Sequence, residues 1–171
     1  MAGANKLTRF YHALELGMTA TNFTVGTWAF DLTSNVVTFL KAAADNTSVV
    51  IIPIPASPNG ALGEDRQVSI IKIPYVVGIA DLDAAPSAVL DLVSIPATTG
   101  VAARSAIAET ETFTGDDAVG IAFASGGQHV HIITVDTPVT TQTDEHLILE
   151  WTVNAAATST VRFYGIEVTY R

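Results

Sequence analysis

Hydrophobic and polar residues alternate along most of this chain with a period of two. In "DEHLILEWTV", residues 144–153, Leu147, Leu149, Trp151 and Val153 fall on one face, and His146, Ile148, Glu150 and Thr152 fall on the other. Successive side chains of a strand point to opposite sides, so the pattern predicts a half-buried β-strand with Trp151 in the core. "TSTVRFYGIEVTYR", residues 158–171, repeats the alternation, with Arg162, Tyr164, Ile166, Val168 and Tyr170 on one face. The small-residue link "NAAAT" between them predicts an antiparallel hairpin with a loop of roughly five residues.

Further strands follow at regular spacing. "NFTVGTWAFDL" (22–32) alternates, with a bulge expected at Gly26, and "NVVTFLKA" (35–42) comes next. "TSVVIIPIPA" (47–56) is continuously apolar, which points to burial on both faces. In "RQVSIIKIPYVVGIAD" (66–81), Pro74 points to a bulge or an edge position. "SAVLDLVSI" (87–95), "ETETFTG" (109–115), "AVGIAFAS" (118–125) and "QHVHIITVD" (128–136) complete the set. Helix is scarce: "LTRFYHALEL" (7–16) fits one or two turns, and Pro86 breaks "DLDAAPSAV" (81–89). Short strands without alternating helices predict an all-β fold, an antiparallel β-sandwich of jelly-roll type with about nine or ten strands. Residues 21–171 form its single domain, and residues 1–20 are expected to be an N-terminal arm or short helix.

Composition narrows the function classes. The chain has 171 residues, 49% of them hydrophobic and only 15% charged, against roughly 25% charged in an ordinary soluble domain. Thr, Ser, Asn and Ala take the place of charges, which suits strand faces and contacts between subunits. The net charge is −9, and the eight basic residues are scattered. Such a balance argues against nucleic-acid partners and against docking on an anionic membrane. With no cysteine, disulfides, thiolate metal sites and cysteine nucleophiles are all removed. The opening "MAGANKLTRFYHALELG" lacks the apolar core of a signal peptide, and no apolar run approaches the roughly 18 residues of a membrane span.

The stretch with most apparent chemistry is "GGQHVHIITV" (126–135). His129 and His131 share one strand face, and two imidazoles on one face can converge on a cation, as in the cupins. The cupin pattern wants a glycine six positions before the first histidine, where Phe123 stands, and a glutamate soon after the second, where no carboxylate occurs before Asp136. His146 is the only downstream candidate for a third ligand. The expectation is therefore two polar residues on an outer or interface face, with no cofactor and no metal. Glu109, Glu111, Asp116 and Asp117 cluster in "ETETFTGDD" and are read as a solvated strand and turn. Asn59, Glu64 and Asp65 lie in a loop that lacks the ligand spacing of a calcium site. Trp28, Trp151 and Tyr164 are candidates for a sugar-stacking platform, with core packing preferred for Trp151. No nucleophile elbow, phosphate loop or dinucleotide fingerprint is present, so no catalytic residue is assigned.

"QHVHIITVDTPVTTQTDEHLILEWTVNAAATSTVRFYGIEVTYR" and "SIIKIPYVVGIADLDAAPSAVLDLV" resemble β-sandwich structural proteins, of head-decoration or fibre type, from tailed bacteriophages and related viral genomes. The features that carry the resemblance are a "TP" after a strand, an acidic turn into "LILEW", and "AAAT" before an "FYGIEVTY" end. The resemblance implies a non-enzymatic virion protein, assembled in the host cytoplasm. Its partners would be copies of itself, with a trimer favoured, and capsid or other virion proteins. Arg162, Tyr164 and Tyr170 are the expected interface residues, since that face mixes aromatics with a charge. The alternatives are a glycan- or receptor-binding module of a tail or fibre, and a cupin-like metal protein.

Overall fold

The structure is a computed structural model. It describes residues 6–16, 24–25, 28–33, 36–41, 46–55, 67–95, 100, 102–115, 124–141, 144–155 and 158–171. Thirteen strand segments occur among these residues: β1 Leu7–His12, β2 Thr24–Val25, β3 Trp28–Thr33, β4 Val36–Lys41, β5 Asn46–Ile54, β6 Val68–Gly78, β7 Ser87–Ser94, β8 Ala103–Ile107, β9 Glu109–Gly115, β10 Gln128–Val139, β11 Glu145–Ala155, β12 Thr160–Phe163 and β13 Gly165–Tyr170. Strands β2, β5, β11, β7 and β8 form one sheet, and the other eight form a second.

The pairing defines the architecture. β4 pairs with β12, β5 with β11, β6 with β10 and β7 with β8, all antiparallel. The chain folds back on itself as a long antiparallel pair and then rolls, so β4, β5, β6 and β7 alternate between the two sheets. This is an antiparallel β-sandwich of jelly-roll type, the fold class predicted from the alternation. The segments outnumber the nine or ten strands expected because β1 replaces the expected helix, β8 is added and two predicted runs are each divided in two. One run, "NFTVGTWAFDL", splits into β2 and β3 in different sheets, and the expected bulge at Gly26 lies outside the described residues.

The same topology overturns the predicted hairpin. β11 pairs with β5 and β7, whereas β12 pairs with β4 and β6 in the opposite sheet. The small-residue link between β11 and β12 crosses between sheets instead of turning within one. Each strand has one apolar face, and that periodicity is the same whether two strands pair beside one another or face each other across a core.

A second correction concerns the face assigned to Arg162, Tyr164 and Tyr170. β12 and β13 form one run along β6, but Phe163 pairs with Tyr75 and Glu167 with Lys72. The run therefore gains one residue at Tyr164–Gly165, a bulge that inverts the alternation. Arg162 and Tyr164 stay on the outer face and are half-buried, whereas Ile166, Val168 and Tyr170 turn into the core at 0% exposure. Gly165 makes the bulge possible: its φ is +147°, and an added Cβ would lie 2.1 Å from the Tyr11 carbonyl oxygen of β1. Pro74 sits in the central strand β6, not at an edge. No residue of β12 or β13 is in register with it, so its missing N–H faces a gap in the ladder on that side.

The start of the chain is a strand as well. β1 pairs along β13 from Leu7 to His12, and a turn follows over residues 13–16. The expected helix gives way because Tyr11 is drawn inward, where its hydroxyl meets that of Tyr170 at 2.9 Å. β5 is fully buried on one face only, through Ser48, Val50, Ile52 and Ile54. The core lies between the sheets. Ile71, Ile73, Tyr75, Val77, Ile133, Phe163 and Val168 of one sheet meet Val50, Ile52, Leu90, Leu147, Leu149, Trp151 and Val153 of the other.

Candidate functional site

His129 and His131 project into the sandwich, not onto an outer or interface face. Both are 0% exposed. β10 takes its inward register from Ile133 and Val135, whose burial in the core fixes the parity of the strand. The two histidines then fall on the same inward side.

His131 is tied on both edges of its ring. Trp151 Nε1 lies 3.2 Å from His131 Nδ1 and donates to it across the sandwich. An indole N–H can only donate, so Nδ1 is the acceptor and the neutral ring carries its proton on Nε2. Nε2 lies 2.7 Å from Glu111 Oε2 of β9, although the oxygen is off the N–H axis and the pair is not aligned as a hydrogen bond. The same carboxylate oxygen accepts from the Ala88 backbone N–H at 3.2 Å, reaching β7 in the other sheet. Phe113 stacks on the imidazole, with centroids 4.3 Å apart and planes 22° apart. Burial holds the His131 pKa down to about 4. Burial also raises that of Glu111, with the nearby Glu109 charge adding to the rise and the Ala88 N–H opposing it. A neutral imidazole is the state that fits this environment.

His129 sits one strand step away. Its Nε2 donates to the Ala124 carbonyl at 2.8 Å, in the turn where Gly126 takes a φ of 84°. Its ring lies 5.3 Å from that of Tyr75. Nδ1 has no partner among the described residues. The adjacent Gly127 packs against the imidazole, because a Cβ there would come within 3.3 Å of His129 Cε1. The glycine pair before the histidines thus shapes a turn that seats a core side chain.

The remaining candidates are dispersed. His146 is exposed on the outer face of the five-stranded sheet, opposite Val93, and joins neither of the other histidines. Among the described residues no three of His, Asp and Glu stand together as a cation site. Trp28 and Trp151 pack on each other in the core with centroids 6.3 Å apart. Tyr164 faces outward, so the three aromatics do not form one platform. Residues 57–65, Asp116 and Asp117 lie outside the described residues. Glu109 is half-buried and Glu111 exposed, on β9, an edge strand among the described residues. They share the inward side of β9 with Phe113, opposite Val135 and Ile133, and Glu111 links β9 to β7 and β10. The sequence signal for this was available: in "ETETFTG" the carboxylates have the parity of Phe113, and the threonines occupy the other face.

The residues and topology together define a jelly-roll β-sandwich whose histidine pair is built into the core. The chain matches no family model, and no curated protein matches it. Among solved structures it is similar to that of the Clostridium thermocellum N-terminal endo-1,4-β-D-xylanase 10B CBM22-1–GH10 modules complexed with xylohexaose, at 9% identity and a TM-score of 0.42, over 87% of this chain. The chain spans only 26% of that structure's length. So distant a similarity carries no functional argument.

Proposed function

We propose that this chain is a non-catalytic structural subunit of a phage-like particle that assembles with copies of itself and with neighbouring virion proteins. The observation that carries the reading is the edge strand β3. It pairs with β4 alone among the described strands, and its Leu32 and Phe30 are 70% and 37% exposed. An unpaired strand edge bearing large apolar side chains is a template for association. Two further features support the reading. The one motif with apparent chemistry serves as a tie between the sheets. The low charge content leaves wide hydroxyl-bearing faces such as Thr110, Thr112 and Thr114 of β9, all exposed.

The test is the molar mass in solution of the chain and of its Leu32→Glu variant. A homo-oligomer for the parent, with a trimer favoured, and dissociation in the variant support the proposal. An oligomer unaffected by the charge at Leu32 would move the contact away from β3.

A further inference from the structure

The outer face of the eight-stranded sheet has a depression at the β12–β13 bulge. Gln128, Val76 and Arg162 share one register row across β10, β6 and β12, and Val130 and Pro74 share the next. Beside Pro74 the row is broken, and half-buried Tyr164 stands at the break. A cavity of about 260 Å³ opens there, lined by Pro74, Val76, Gln128, Val130 and Tyr164, with His129 also contributing to its wall.

We infer that this depression is a binding site for one neutral pyranose unit of a glycan. Its volume falls just under the roughly 300 Å³ at which sites for drug-sized ligands begin, so a single ring is the scale it suits. Its walls offer two kinds of contact. The phenol of Tyr164, the ring of Pro74 and the two valines present an apolar surface to the C–H face of a sugar. The Gln128 amide and, in the same register row but outside the lining, the Arg162 guanidinium offer hydroxyl partners about 10 Å apart, two inter-strand spacings. Arg162 Nε is buried without a hydrogen-bond partner among the described residues. Asp31 lies 3.8 Å from that nitrogen and balances its charge, so the rim has no net attraction for an anion. A ligand that pairs an apolar face with several uncharged hydroxyls satisfies both kinds of contact.

This inference goes beyond the assembly proposal and does not depend on it. The experiment presents the full chain to immobilised neutral gluco-, manno-, galacto- and xylo-oligosaccharides and to acidic sialylated and uronate-containing ones, then titrates the best-retained oligomer by calorimetry. The expected result is retention of at least one neutral oligomer. Tyr164→Ala should weaken it at least tenfold and Gln128→Ala severalfold, with unchanged thermal melting. Phe10→Ala, on the same face but away from the depression, should bind as the parent does, and Leu32→Glu should also keep glycan binding. Retention of no neutral oligomer, retention of acidic ones alone, or binding unchanged by Tyr164→Ala would each overturn the inference.

Discussion

Trp151 donates its indole N–H to His131 Nδ1 at 3.2 Å, and the bond crosses the sandwich from β11 of one sheet to β10 of the other. Both rings are fully buried, so each atom's partner is the one the fold provides. Removing the donor alone strands a buried acceptor, which costs about 1–3 kcal/mol. Trp151→Phe should therefore lower unfolding free energy by that amount in addition to the packing loss. Trp151→Phe combined with His131→Leu should be less destabilised than the sum of the two single changes. Urea denaturation of the four proteins measures the coupling, and strict additivity would count against the bond.

The state of His131 sets a pH dependence. Its folded-state pKa is about 4, below the ordinary 6.5, because burial disfavours the cation. Unfolded chains therefore bind the proton more readily between those values. Stability from this group is full above about pH 6.5 and is lost as pH falls toward 4, by up to a figure on the order of 3 kcal/mol. Glu111 acts with the opposite sign, since its raised pKa makes its charged form the unfavourable one in the folded state. Stability measured from pH 7 to 4 in the parent and in His131→Gln isolates the histidine. The variant should show a flatter profile over that window.

Gly165 holds the bulge that separates the outward Tyr164 from the inward Tyr170. Gly165→Ala would set a Cβ 2.1 Å from the Tyr11 carbonyl oxygen at a φ of +147°, and neither backbone has slack to yield. A loss of about 3 kcal/mol or more is expected, visible as a lowered midpoint of thermal unfolding. A change at Gly100, also at positive φ but with open space around it, should be milder.

The two tyrosines of that run should respond differently. The Tyr170 hydroxyl meets Tyr11 at 2.9 Å and donates to the Pro55 carbonyl at 2.9 Å. Tyr170→Phe should therefore cost about 1–2 kcal/mol. Tyr164→Phe, on the half-exposed face, should stay within about 0.5 kcal/mol of the parent.

The alternation of apolar residues made the strand content and the inward face of β11 legible, including the burial of Trp151. It did not reveal which strands pair, because the roll sends β4, β5, β6 and β7 to alternate sheets and leaves the local period unchanged. One extra residue at Tyr164–Gly165 was enough to move Tyr170 from an expected interface to the core. Glycine allowed the bulge, but the close approach of β1 that requires it is a long-range contact. The histidines illustrate the same limit. Their shared face follows from spacing, whereas its direction depends on the neighbours Ile133 and Val135 and on a tryptophan from the other sheet.

The measurement that tests the account most directly is the molar mass of the purified chain by light scattering, with and without chelator. A closed homo-oligomer, with a trimer favoured, is expected, its mass unchanged by chelator, because both histidines are buried inside the sandwich, away from any subunit contact. A monomer across the concentration range, or an oligomer that dissociates when metal is removed, would contradict it.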